Sequence, residues 1–159
     1  MAFDAFIKIG DIEGGSEAKG HKGEIEVLSY SWGLRQEIAH GGGGGAGAGK
    51  ATAADFSFLM EAGIASPELA LAVCRGEQFP EAMFTATEAG AGAGKKAQPA
   101  FYKLRFTEVL ISSYQVGGQS GGVPTDQVSL NFAKVELEYE DQKGKGKVSF
   151  CDFKKQAGG

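Results

Sequence analysis

The chain is poor in the residues that build metal and redox sites. Its 159 residues include two cysteines and two histidines. Cys74 and Cys151 stand far apart with no CxxC spacing, which removes the zinc-ribbon and thioredoxin-type readings. They read as small buried hydrophobes, with a disulfide between them left open. His21 and His40 sit at or beside loops and have no HxH or HxxxH partner, so they read as solvated. A metal centre needs ligands gathered at set distances, and no cluster of His, Cys and acid offers that. Basic charge is not in excess: 16 Lys and Arg face 20 Asp and Glu, for a net charge of -4. The basic footprint of a nucleic-acid binder is therefore missing. No stretch approaches the ~18 apolar residues of a membrane-spanning helix, and no membrane insertion is expected. The opening MAFDAFIKIG lacks the basic and apolar regions of a secretory signal peptide. The chain is expected to be made in the cytoplasm, and export would require a dedicated machine.

What is present is glycine, with 26 residues, roughly twice the usual share of ~7%. The glycines cluster into loops and show no collagen period. The length suits one domain over 1–159, with 141–159 the least clearly defined part and the tail after Phe153 expected to be mobile. Strand signals dominate. Phe3, Ala5, Ile7 and Ile9 alternate with Ala2, Asp4, Phe6 and Lys8 up to Gly10. A long strand is expected from about Glu24 to Gln36, with a change of phase: Ile25 and Val27 give way to Leu28, Tyr30, Trp32 and Leu34. Such a change needs an extra residue or a move between sheets, and a β-bulge near Val27–Leu28 is the economical explanation. The same change separates Tyr102, Leu104 and Phe106 from Val109 and Ile111. It recurs between Val128, Leu130 and Phe132 and Val135, Leu137 and Tyr139. Three such strands predict a mainly β fold, a strongly curved two-sheet barrel in which one strand serves two walls. Shorter strands are expected at Asp55–Met60, Glu81–Glu88 and Lys147–Phe153. One helix is predicted over Pro67–Arg75, with Ser66 as N-cap, Glu68 in the first turn, Arg75 in the last and Gly76 to end it.

The chemistry-bearing motifs fail one by one. Gly44, four residues, then Gly49-Lys50 has P-loop spacing, but Ala51 stands where the motif needs Ser or Thr. No GxSxG elbow is present. Glu24 and Glu26, and Glu136, Glu138, Glu140 and Asp141, alternate along strands and read as solvated faces. Phe56, Phe58, Phe84, Phe106 and Phe132 lie between polar residues as a barrel core does. No catalytic residue and no cofactor are expected, so the chain is not read as an enzyme. A monomeric β-barrel holding a small ligand is the competing reading.

Several segments occur together in a telling order. They are MAFDAFIKIGDIEGGSEAKGHKGEIEVLSYSWG, the Gly-rich insertion, Asp55-Phe56-Ser57-Phe58, the Ser66-Pro67 helix and FYKLRFTEVLISSYQVGGQSGGVPTDQVSLNFAKVELEY. In that order, from Met1 to about Tyr139, they resemble the haemolysin-coregulated protein (Hcp) family of bacterial type VI secretion. The second Gly/Ala run, Ala89–Lys96, is longer than the resemblance would lead one to expect. The resemblance implies a compact two-sheet β-barrel with one short helix and an extended Gly-rich loop, similar to phage tail-tube proteins. It implies hexameric rings that stack into a tube inside a contractile sheath, tipped by a spike protein, exported on firing and able to carry small effector proteins. Under it, Ser29 and Ser31 are expected to face the lumen while Tyr30, Trp32, Phe106 and Phe132 enter the core. The loop formed by His40, Gly41, Gly42, Gly43, Gly44, Gly45, Ala46, Gly47, Ala48, Gly49 and Lys50 is expected to reach a neighbouring subunit or ring.

Overall fold

The computed structural model describes residues 3–39, 47–88, 100–141, 143–155 and 157–159. Twelve strands and one helix follow in order: β1 Phe3–Ile9, β2 Ile25–Val27, β3 Ser29–Ser31, β4 Leu34–Ala39, β5 Gly47–Ala53 and β6 Phe56–Glu61. After the helix α1 Ser66–Arg75 come β7 Gln78–Glu88, β8 Ala100–Gly117, β9 Thr125–Asn131, β10 Lys134–Glu140, β11 Gly146–Asp152 and β12 Ala157–Gly158. Ten strands form one antiparallel sheet along the path β12-β11-β10-β8-β7-β1-β2, with β9, β6 and β3 branching from β8. The expected barrel of two walls is present, but its hydrogen-bonded ladder does not close.

The phase changes in the sequence each have a structural cause. No bulge is needed at Leu28. The strand expected over Glu24–Gln36 is three strands, and it changes partner there: Val27 pairs with Ala5 of β1, whereas Ser29 pairs with Leu59 of β6. Leu28 bridges the two walls through its N–H, which donates to the Leu59 carbonyl at 2.8 Å, and its side chain points outward. In β8 the change falls at Glu108, a non-glycine residue with φ of 55°. Before it, β8 pairs with β10 through Thr107↔Lys134; beyond it, the same edge pairs with β9 through Leu110↔Asn131. One strand thus serves two walls. The third change is a break in the chain's strand character at Phe132-Ala133, between β9 and β10.

The barrel interior is solid. Phe56, Phe84, Phe106, Leu104 and Leu130 are fully buried, and Phe58 is 1% exposed. Phe56 alone lies within 5.1–6.2 Å of the rings of Phe58, Phe84, Phe106 and Tyr30. Aromatic pairs at these separations add ~0.5–1.5 kcal/mol each beyond area burial.

The helix begins one residue earlier than expected. Ser66 is its first residue, and the cap position falls on Ala65. The Ser66 hydroxyl instead accepts from the Gly63 N–H and donates to Asp126. Leu69 and Ala72 are buried, and Gly76 closes the helix in the left-handed region at φ 60°, where its N–H donates to the Val73 carbonyl.

One expectation, that His21 is solvated, is corrected. The segment after Gly10 folds back over the outer face of β1. There the His21 ring stacks on Phe6 at 4.3 Å and 5°, and Nδ1 lies 3.0 Å from a Glu24 oxygen. His21 is not simply solvated, and Phe6 is buried although it faces away from the core. In the tail after Phe153, β12 pairs with β11, and Phe150 and Gly159 exchange both backbone hydrogen bonds.

Candidate functional site

The middle of the outward face of the wall β3-β6-β9-β8 is mostly serine and glutamine. Register places Ser31, Ser57, Ser129 and Ser113 side by side across the four strands. The next row is Ser29, Leu59, Gln127 and Gln115. Ser57 and Ser129 hydroxyls are hydrogen bonded to each other at 2.9 Å. Charged residues make up 23% of the chain, so eight positions would carry about two, and these carry none. An open depression of about 320 Å³ lies over the β3-β6 end of this face, against Ser29, Ser31, Ser57 and Gln127. Ser29 and Ser31, singled out from sequence, are therefore exposed members of a larger hydroxyl and amide carpet. Ser57, Ser113, Gln115, Gln127 and Ser129 were not predicted. Alternation within each strand was visible, but which residues stand opposite one another depends on register.

Behind this face lie the residues expected in the core. Phe106 is fully buried and Phe132 is 8% exposed. Trp32 is partly buried against the core, near Phe132 at 6.4 Å, and its buried indole N–H has no partner among the described residues. Tyr30 departs from expectation. Its ring lies 4.6 Å from Phe84, yet it is 48% exposed, because β3 has a strand neighbour on one edge only.

The wall is fastened at both ends by a carboxylate. Asp55 accepts from the Ser112 hydroxyl at 2.6 Å and from the Asn131 side-chain amide at 3.0 Å. Asp126, 1% exposed, accepts from Ser66 and from the Tyr114 hydroxyl at 2.8 Å on one oxygen; its other oxygen has no partner among the described residues. Burial first, then the Asp126 carboxylate, pushes the Tyr114 hydroxyl above the ordinary tyrosine range.

The second element of the site is the β4-β5 hairpin, a two-stranded sheet apart from the barrel. It is joined at its base where the Ala54 N–H donates to the Gly33 carbonyl. Residues 34–38 are all exposed, Leu34 at 54% and Ile38 at 61%. Of the loop residues named from sequence, Gly47, Ala48, Gly49 and Lys50 belong to β5 and are strand, not loop; His40, Gly41, Gly42, Gly43, Gly44, Gly45 and Ala46 fall outside the described residues. A P-loop needs a helix after its lysine, and β5 instead continues to Ala53. The Ala89–Lys96 run also falls outside the described residues.

Nothing among the described residues gathers three metal-ligating side chains, and no helix there is long and apolar enough to cross a membrane. Both cysteines are free; Cys74 is exposed, against expectation, and Cys151 is partly buried. Glu136 and Glu138 are not on an open solvent face: they stand directly across from Arg105 and Lys103 and are partly buried there.

The comparisons with known proteins agree with one another. The family model for the type VI secretion system effector Hcp matches residues 6–139. The protein hcp1 of Pseudomonas aeruginosa is 42% identical over 148 residues, covering 92% of this chain and 88% of that one. The crystal structure of Hcp1 from Salmonella typhimurium superposes with a TM-score of 0.84 at 29% identity over 99% of both chains. A type VI secretion system effector from Yersinia pestis gives 0.76 at 28% identity, over 94% of this chain and 99% of that one.

Proposed function

Since the chain belongs to the Hcp family of type VI secretion proteins, we propose that it is a structural subunit of hexameric rings that stack into the secretion tube. The neutral face of the β3-β6-β9-β8 wall is the observation that carries this reading. A lumen through which other proteins pass must not bind them too tightly. A row of serines flanked by glutamines offers exchangeable hydrogen bonds and no fixed charge to hold passing ions or patches. Ser29 and Ser31 line that lumen under this reading, with small effector proteins as cargo. The spike protein and the contractile sheath are the remaining partners. The chain is made in the cytoplasm and leaves through the type VI machine. No catalytic step is assigned to it.

The β4-β5 hairpin supports assembly. An isolated two-stranded hairpin is at best marginally stable in water. Leu34 and Ile38 have no cover among the described residues and fit contact with a neighbouring subunit or ring. The ligand-binding alternative finds no support in the interior, where phenylalanine rings occupy the space a ligand would need.

Sedimentation of the purified protein with imaging of the main peak tests the ring. A six-subunit annular particle is expected, and a monomer at all concentrations would overturn the reading. Ser31→Arg tests the lumen: rings should persist while captured effector is lost. Undiminished capture on intact Ser31→Arg rings would place the cargo elsewhere.

A further inference from the structure

A groove of about 220 Å³ opens between the loop after β1, strand β2 and the connection from β6 to α1. Its walls carry two exposed apolar side chains, Leu28 at 49% and Ile64 at 59%, together with Ile25. It also carries two exposed carboxylates, Glu26 and Glu61, and no basic residue. Neither carboxylate forms an ion pair among the described residues. One wall is set by a close approach: a Cβ on Gly14 would meet the Glu24 carbonyl oxygen at 2.3 Å, so the two chain segments run together only because this residue is glycine.

Toward the other end of the strand path lies a lysine-bearing turn, with Glu140 and Asp141 beside it. The turn between β10 and β11 and the start of β11 bear Lys143, Lys145 and Lys147, all exposed. None of their ammonium groups has an ion-pair partner among the described residues. Asp141 accepts the Lys143 and Lys145 backbone N–H groups at 2.9 and 2.8 Å.

We propose that Lys143, Lys145 and Lys147 of one copy of this chain dock into the Glu26–Glu61 groove of another copy. The match is chemical on both counts. A lysine presents an aliphatic stem to an apolar wall and an ammonium to a carboxylate. Strand β2 ends the path β12-β11-β10-β8-β7-β1-β2, and none of Lys143, Lys145 and Lys147 forms an ion pair with Glu26 or Glu61 within the chain among the described residues. A contact between two different patches of identical subunits is head-to-tail, the kind that closes a ring or continues a stack. The inference rests on the self-assembly proposed above and names the surface that would make it. The competing role for these lysines is to guard the open edge of β11 against unwanted strand pairing.

Charge reversal separates the two. The variant Lys143→Glu, Lys145→Glu, Lys147→Glu should weaken self-association at least tenfold at low salt, and so should Glu26→Lys with Glu61→Lys. Both sets combined in one chain should regain association, and raising salt should weaken the wild type. All five side chains are exposed, so denaturant unfolding of each variant should match wild type. Should a reversal unfold the barrel, the neutral set Lys143→Gln, Lys145→Gln, Lys147→Gln reads the same association. Wild-type assembly that the lysine variants leave unchanged would overturn the docking and leave the edge-guard role. Loss of assembly without recovery in the combined variant would overturn it too. A wild type that never assembles would instead remove the ring reading and this contact with it.

Discussion

The barrel interior and the β4-β5 hairpin are built on opposite terms. Inside the barrel, phenylalanines from β6, β7 and β8 bury one another completely, so each strand is held by side chains from the others. In the hairpin the backbone is paired, but Leu34 and Ile38 face solvent and the opposing strand offers mostly alanine and glycine. Burial of apolar area is the main favourable term in folding. The first region draws it from within the chain. The second leaves Leu34 and Ile38 uncovered by the described residues, and the contact proposed above with a neighbouring subunit would use them.

Four experiments would break or sharpen that contrast. Phe56→Ala should have the largest effect, about 3–5 kcal/mol lost in denaturant unfolding, because it leaves a cavity among four rings. A loss under a third of that would mean the interior can collapse and is less rigid than its packing suggests. Next comes Asp126→Ala, which strands the Tyr114 and Ser66 hydroxyls beside the helix start and should cost roughly 1–3 kcal/mol. A neutral result would show that water replaces the carboxylate.

The third is a pH titration of stability. Burial raises Tyr114 and Tyr102 above the ordinary tyrosine range, aided by Asp126 for the first and Tyr30 for the second. The fold favours the neutral phenols. Their contribution should be complete below the unfolded value of about 10 and fall away as pH rises through the higher folded values. Tyr114→Phe should flatten part of that alkaline slope; an unchanged slope would acquit Tyr114. The smallest effect on folding should come from Ile38→Ser. Monomer stability should stay within about 0.5 kcal/mol, while self-association measured by sedimentation weakens. Destabilisation on the scale of Phe56→Ala would erase the distinction between the two regions.

Local signals were legible where local physics decides. Pro67 and Gly76 mark the helix from local chemistry, although Ser66 proves to be its first residue and not its cap. The slip between Phe106 and Val109 announces a disturbed strand, and Glu108 is where it occurs. Partner identity was not legible. A slip at Leu28 looks the same whether a strand bulges or changes wall, and only the pairing of Val27 with β1 and Ser29 with β6 separates the two. β5 was hidden for a different reason: Gly47 to Gly49 have no strand preference, and β4 imposes their conformation by pairing. The pairing of the two-residue strand β12 escaped notice in the same way. In the candidate site, Ser29 and Ser31 stood out by alternation. The serines and glutamines beside them come from strands up to a hundred residues away, and register alone assembles them.

Asp55 gives the hairpin a mechanical character. The chain returns from β5 through Ala54 and at once meets a carboxylate tied to Ser112 on β8 and Asn131 on β9. Seven residues of β5, at ~3.3 Å each, make an arm of about 20 Å. Its two roots are anchored differently, by Asp55 on two strands of the serine-bearing wall and by Trp32 against Phe132, so a load carried along the hairpin would be passed to the wall and the core together.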